Sequence, residues 1–263
     1  MRGYIIKRIL ATIPVMAVVA IFVFSLLRLT PGDPAAIIAG DYARPEDVVR
    51  IRQKLGLDKP VYVQFFIWTG QLLRGDLGTS IFSGLPVSRL IKQRLEPTLA
   101  LTVLTMLIAI ATAVPLGILA AWKTGTWVDR GVMMFAVLGF SMPVFWLGFL
   151  MMYSFAIQLS ILPVQGYVNL SQGFVPFIRH LILPATTLGL VYMALIARMT
   201  RASMLEVLQE DYIRTAYAKG AKPGAVLIRH AFKNASLPVV TIIGVGFALL
   251  IGGVVVTESV FAI

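Results

Sequence analysis

Few residues in this 263-residue chain could do covalent chemistry. It contains no cysteine, which removes thiolate nucleophiles, thiolate metal sites and disulfides together. Its two histidines, His180 and His230, belong to no His-x-x-x-His pair and imply no metal centre. Gly117-x4-Trp122-Lys123-Thr124 comes near a phosphate-binding loop. Trp122 replaces the second glycine, however, and backbone amides cannot close around a phosphate past an indole. Glu258 lies towards the outer end of an apolar run. It could relay protons, but at an interface a carboxylate costs little, and a structural or gating role is expected. The expectation is therefore no catalytic residue, no bound cofactor and no metal ligand. An intramembrane enzyme would need a nucleophile–base pair or a metal cluster, and neither is visible.

The most informative polar stretch is residues 206–238, EVLQEDYIRTAYAKGAKPGAVLIRHAFKNASLP. Its spacing predicts an amphipathic helix over Asp211–Lys222, with Ile213, Ala216, Tyr217, Gly220 and Ala221 on one face. Arg214, Thr215, Ala218, Lys219 and Lys222 lie towards the other. Glu210 and Asp211 suit the positive start of such a helix, and Lys219 and Lys222 its end. Pro223-Gly224 should break it. A second short helix is expected over Ala225–Lys233, with Ser236 capping the next apolar helix and Pro238 in its first turn. Ala216 and Gly220, four apart, would admit the close approach of another backbone. Periodicity alone leaves two readings: a basic helix lying on anionic lipid, or a segment seated in a partner's groove.

The elements that must position this stretch are apolar. The chain is 58% hydrophobic and 13% charged, against roughly 25% charged in an average soluble domain. Crossing a hydrocarbon core takes about 20 helical residues. Five runs qualify or nearly do: Ile9–Leu27, Pro97–Trp122, about Gly131 to Leu159, the shorter Leu181–Ala197, and Ala235–Thr257. Snorkelling of Arg198 and Arg201 would extend the fourth. The first run is too long for a signal-peptide core and should remain as an uncleaved span. Glycines in Gly131–Gly148 and Gly244–Gly253, and the Ser141-Met142-Pro143 step, could mark close helix contacts or breaks along a path; close packing is the expectation. Met133, Met134, Met142, Met151 and Met152 are expected to fill core space.

The net charge of +11 would point to nucleic acid in a soluble protein. Here the basic residues lie in segments between apolar runs, without a basic stripe on a soluble surface, and no nucleic-acid partner is expected. They set orientation instead. Arg2, Lys7 and Arg8, then Lys123 and Arg130, then Arg198, Arg201, Arg214, Lys219, Lys222, Arg229 and Lys233 fall on one side. The short opposite connection, Ser160–His180, holds only Arg179 and should form an irregular re-entrant or capping loop. The N-terminus is thus expected in the cytoplasm and the C-terminus outside. Expected domains are 1–29, N-terminus and first span; 30–96, an external loop with short helices at Pro45–Leu55 and Pro60–Leu73 and a turn at Thr30–Pro34; and 97–263, a transmembrane core with a cytoplasmic region at 198–235.

Several motifs carry a specific resemblance. Asp211-Tyr-Ile-Arg-Thr-Ala216, Ala218-Lys-Gly220, Arg229-His-Ala231, Asn234-Ala235 and Leu237-Pro238 are similar to the cytoplasmic coupling motif of binding-protein-dependent ABC importer permeases, in the dipeptide/oligopeptide/nickel branch. Ile6-Lys-Arg-Ile-Leu10, Pro31-Gly-Asp-Pro34, Arg52-x-x-Leu55-Gly-Leu57-Asp58 and Gly75-Asp-Leu-Gly78-x-Ser80 extend the resemblance over essentially the whole chain. It departs from the general importer motif at Arg214-Thr-Ala216, where that motif has Glu-Ala-Ala, and in the wider spacing from Gly220 to Pro238.

The resemblance implies an all-α, multi-pass type I importer domain in a bacterial-type cytoplasmic (inner) membrane, with five spans visible and the usual sixth missing beyond Ile263. It implies a second permease subunit, two cytoplasmic ATPases that hydrolyse ATP, and an external or periplasmic solute-binding protein. Asp211, Arg214, Thr215, Ala216, Ala218, Lys219 and Gly220 would meet an ATPase, supported by Arg229, His230, Asn234, Leu237 and Pro238. Peptides or similar small solutes would be carried. An ion- or proton-coupled transporter working alone is the alternative; it would want ionisable groups mid-span, and these runs have almost none.

Overall fold

The computed structural model describes residues 2–29, 32–40, 44–80 and 83–263. Thr30 and Pro31 of the expected Thr30–Pro34 turn lie outside the described residues. The chain divides into two compact units, 1–92 and 93–263.

In the first unit, α1 (Arg2–Leu29) is a 28-residue helix with most of its apolar side chains exposed, as a lipid-facing span requires. Phe24 is buried, its ring packed edge-on to Phe65 and tilted against Trp68. Both partners belong to α4 (Val61–Leu73). Asp33 caps α2 (Pro34–Ala39), accepting from the Ala35 amide at 3.1 Å. It also accepts from the Arg52 guanidinium at 2.6 Å, in α3 (Pro45–Lys54). The Gly32-Asp33-Pro34 and Arg52 motifs are therefore one joint. Arg52 is the main cause holding the Asp33 carboxyl below its ordinary range. A depressed folded-state value means this joint contributes fully above the usual carboxylate range and loses its contribution as pH falls through the lowered value. After α4, Asp76 accepts from the Gly78 amide at 2.9 Å, and an antiparallel bridge pairs Thr79 with Pro86.

The second unit holds α5 (Val87–Trp122) from Gln93 onward, together with α6 (Trp127–Ser141), α7 (Val144–Met151), α8 (Phe174–Leu208), α9 (Asp211–Ala218), α10 (Pro223–Ala225), α11 (Lys233–Gly253) and α12 (Val255–Phe261). Four helical stretches among the described residues are long and apolar enough to cross a membrane, and a fifth is if α6 and the helix after it count as one. That fifth differs from the straight run expected at Gly131–Leu159. It is bent by 104° between Ser141 and Val144. Pro143 drives its neighbour out of the helical region, so Met142 adopts φ −86°, ψ 135° and the helix stops.

The fourth run also differs: α8 extends well past Leu181–Ala197 at both ends. Its cations also have local partners. Arg179 donates to the Ile161 carbonyl at 2.9 Å, the Arg198 guanidinium lies 5.3 Å from the Phe140 ring centroid, and Arg201 pairs with Asp129. The second short helix expected at Ala225–Lys233 is instead a π-helical segment, Val226–Phe232, running without interruption from α10 into α11. Ser236 therefore does not cap; its hydroxyl donates to the Lys233 carbonyl inside the helix, and Pro238 is internal. The actual start is at Lys222-Pro223, with proline in the first turn where its missing N–H costs nothing.

Glycine packing accounts for part of the glycine pattern. A Cβ at Gly117 would lie 2.6 Å from Thr200 Cβ and 2.7 Å from the Ala197 carbonyl oxygen, one at Gly139 3.1 Å from the Leu190 carbonyl oxygen, and one at Gly148 3.2 Å from the Phe261 ring. At Gly131, Gly244, Gly252 and Gly253 it would meet nothing within 4 Å. The methionines divide similarly: Met152 is buried, whereas Met134 is 64% exposed and fills no core.

The connection before α8 behaves as a cap. The Gly166 amide donates to the Phe261 carbonyl at 2.9 Å, Gln165 Nε2 donates to the Val260 carbonyl at 3.1 Å, and the Tyr167 hydroxyl and Leu170 amide both donate to Glu96 at 3.1 Å. Burial, and then the Glu96 carboxylate, push the Tyr167 phenol up, so it remains a donor. Glu258 accepts from Thr98 Oγ1 at 2.6 Å, tying α12 to α5, in keeping with a structural or gating role.

Candidate functional site

The polar stretch after α8 forms a short helix with one face clamped and one face free. Ile213 is only 1% exposed. It packs in a cluster with Ala121 at the end of α5, Met204 in α8, Val226, Leu227 and Ala231 in the π-helical segment, and Ala235 in α11. Ala216 and Ala221 pack against the same cluster. A single isoleucine thus joins α9 to the ends of three long helices. Burying such a side chain is worth about 1.5–3 kcal/mol, which an eight-residue helix needs because so short a helix is marginal alone.

Tyr212 adds a polar clasp. Asn234 Nδ2 donates to its hydroxyl at 2.7 Å, and that hydroxyl donates to the His230 carbonyl at 3.5 Å. Tyr212 falls inside the Asp211–Ala216 motif, but its clasp is not readable from the sequence, because its partner lies 22 positions away. Tyr212→Phe should lower stability by about 0.5–1.5 kcal/mol, the net worth of one hydrogen bond. A detergent-solubilised melting curve would read it, and an unshifted midpoint would remove the clasp from the account.

The helix ends earlier than expected. It stops at Ala218, not Lys222, because Gly220 takes φ +79°. The Ala221 amide returns to the Ala216 carbonyl at 3.1 Å and the Gly220 amide to the Tyr217 carbonyl at 2.9 Å. This is a Schellman closure, in which glycine adopts the left-handed turn that a side chain resists. Gly220 therefore terminates the helix; it is not part of a small-residue face continuing from Ala216.

The outward side presents Asp211, Arg214, Thr215, Tyr217, Ala218, Lys219 and Gly220, all exposed, while Ala216 is half-buried and faces the cluster. Asp211 and Arg214 pair at 3.2 Å in full solvent, which adds little to stability but displays both charges. Thr215 donates to the Asp211 carbonyl at 2.9 Å. Of the supporting residues, Arg229, His230, Asn234, Leu237 and Pro238 are all exposed, Leu237 by 75%. Asn234 meets α9 through Tyr212, and His230 does so through its carbonyl. The site therefore offers an exposed, mixed-charge helical face with its opposite face keyed into the bundle.

Residues 113–263 match the family described as binding-protein-dependent transport system inner membrane component, and residues 1–102 match the N-terminal region of such membrane components. A probable peptide ABC transporter permease of Sinorhizobium fredii is 55% identical over 261 residues, covering 99% of this chain and 83% of that protein. A dipeptide transport system permease of Alkalihalophilus pseudofirmus is 40% identical, covering 100% and 85%. A glutathione transport system permease of Salmonella choleraesuis is 43% identical, covering 99% and 83%. These matches cover most of its length, and this chain belongs to the family of binding-protein-dependent transport system inner membrane components.

Proposed function

We propose that this permease carries peptides or similarly small solutes, pairs with a second permease subunit to line the path, and is driven by two cytoplasmic ATPases. A solute-binding protein on the outer side delivers the cargo, and the N-terminus faces the cytoplasm. The solute class rests on the relatives described as peptide, dipeptide and glutathione permeases. The orientation rests on the lysines and arginines between spans.

The observation that carries the mechanism is the two-sidedness of α9. Its outer face displays Asp211, Arg214, Thr215, Ala218 and Lys219 to a partner, while Ile213 and Ala216 hold the other face to α5, α8 and the π-helical segment. An ATPase that grips the outer face moves the helix, and the cluster passes that movement to the long helices. Asn234 and the His230 carbonyl brace α9 through Tyr212, and Arg229 lies exposed beside them. A proton-coupled carrier would instead use a buried carboxylate free to titrate; among the described residues the buried carboxylate is Asp129, and it is occupied by Arg201.

Gly220→Val tests the lever. At φ +79° a branched side chain costs about 1–2 kcal/mol of backbone strain and should unwind the end of α9. In the reconstituted transporter, ATP hydrolysis should persist while uptake of a labelled tripeptide falls; Gly220→Asn, which tolerates the left-handed turn, should keep most of the uptake. Parental uptake in the valine variant would remove Gly220 from the coupling region.

A further inference from the structure

The bundle contains a second device, outside the motifs quoted above. Asp129, in the first turn of α6, is 4% exposed. Its Oδ1 accepts from Arg201 Nε at 2.6 Å and its Oδ2 from Arg201 Nη2 at 2.7 Å. Oδ2 also accepts from the Gly125 amide at 3.0 Å, and Arg201 Nη2 reaches Thr124 Oγ1 at 3.4 Å. This is a forked, two-point pair, the form of ion pair with the most fixed geometry. It binds α6 and the α5–α6 turn to one place on α8.

That place is crowded with other joints. Thr200, one residue before Arg201, is fully buried against Gly117 of α5. Met204, three residues after, is fully buried in the cluster that holds Ile213 of α9. About one helical turn of α8 thus grips α5, α6 and α9 at once. A buried ion pair is a poor way to add stability, since well-packed apolar groups of similar volume commonly do as well. What a forked pair adds is a single allowed register between the elements it joins.

We propose that Asp129 and Arg201 are positioning residues that make α6 move as one body with the coupling helix α9, so that a push on α9 reaches the bent span at Met142-Pro143. This rests on α9 being the coupling element. The body would end at that bend, where the helical hydrogen bonds lapse and rotation is cheapest. Without the pair, α9 and α8 would still be joined through Ile213 and Met204, and α6 would keep its contacts with α8 at Gly139 and Phe140 near the bend, but its first turns would be free to lag.

The native absence of cysteine permits a direct test. Met134→Cys in α6 and Ala218→Cys in α9, both at exposed positions, carry spin labels in the assembled transporter. Their separation is measured without nucleotide and after trapping with ATP and vanadate. The expected result is one narrow distance, unchanged between the two states. Asp129→Asn, and separately Arg201→Lys, should add a second population displaced by about 1–5 Å, the scale of helix shifts at packed interfaces. ATPase subunits should still cross-link to position 218 in both variants. A distance that changes in the parent, or variants that keep the single narrow population, would overturn the proposal. So would variants that lose assembly, since the pair would then serve folding alone. If position 218 fails to cross-link to an ATPase in the parent, the coupling reading falls, while the nucleotide-free distance still reports whether the pair holds α6 to α9.

Discussion

Gly117→Val should leave almost no folded permease in the membrane. Even the first added carbon would sit 2.6 Å from Thr200 Cβ and 2.7 Å from the Ala197 carbonyl oxygen. The second of these is backbone and cannot swing aside. Forcing extra carbons into a packed core costs about 1–3 kcal/mol where side chains can adjust, and here α5 and α8 would have to separate along their length. Small residues at such crossings are what let helices pack in lipid, where no hydrophobic drive pulls them together. Gly117→Ala should already lower the unfolding midpoint. Thr200→Gly should restore part of the loss and not all, because the Ala197 carbonyl remains. Gly244→Ala is the control, as a Cβ there meets nothing within 4 Å. Size-exclusion profiles of the solubilised protein separate these outcomes; a monodisperse, parent-like peak for Gly117→Val would show that the α5–α8 crossing is looser than described.

The second large effect is at Ile213. Truncating a fully buried isoleucine to alanine costs about 2–5 kcal/mol, and α9 has few other anchors: the Tyr212–Asn234 clasp and the Ala216 contact. Ile213→Ala should therefore unmoor this helix while the rest of the bundle stands. Amide hydrogen exchange over 211–218 should accelerate by about 30-fold or more, with exchange in the middle of α8 unchanged, because the lost energy belongs to a local opening. Uptake in the assembled transporter should fall with it. Arg214→Ala, which removes only a solvent-exposed partner, should leave exchange nearly as it was. Equal acceleration across α8 would mean that Ile213 supports the whole fold instead of the lever.

Much of this architecture is legible in the residues because lipid imposes a simple rule: long uncharged runs become helices. Pro97–Trp122 is a case where composition suffices to locate a span; Ala235–Thr257 locates another, though its helix ends at Gly253 and Val255–Thr257 belong to α12. The amphipathic start at Asp211 is equally plain. What escaped depends on distant partners. Leu181–Ala197 looked short because Arg179, Arg198 and Arg201 read as charges needing water, whereas the Ile161 carbonyl, the Phe140 ring and Asp129 receive them. Asp129 itself reads as an ordinary residue of a turn, since its partner lies 72 positions away. The 104° bend was signalled by Met142-Pro143, but a proline inside an apolar run has two outcomes. Pro115 and Pro184 sit within continuous helices, whereas Pro143 follows a residue that has left the helical region. Gly220 shows a third kind of ambiguity. Four-residue spacing from Ala216 suits both a small-residue face and a helix stop, and only the positive φ decides between them.

A cross-linking measurement probes the central claim most directly. In an otherwise cysteine-free chain, Ala218→Cys on the exposed side of α9 should cross-link to an ATPase subunit of the assembled transporter. It should also resist a membrane-impermeant thiol reagent applied to intact cells and react once the inner face is opened. Labelling of position 218 from outside intact cells, or full uptake by the purified chain with no ATPase present, would contradict the account.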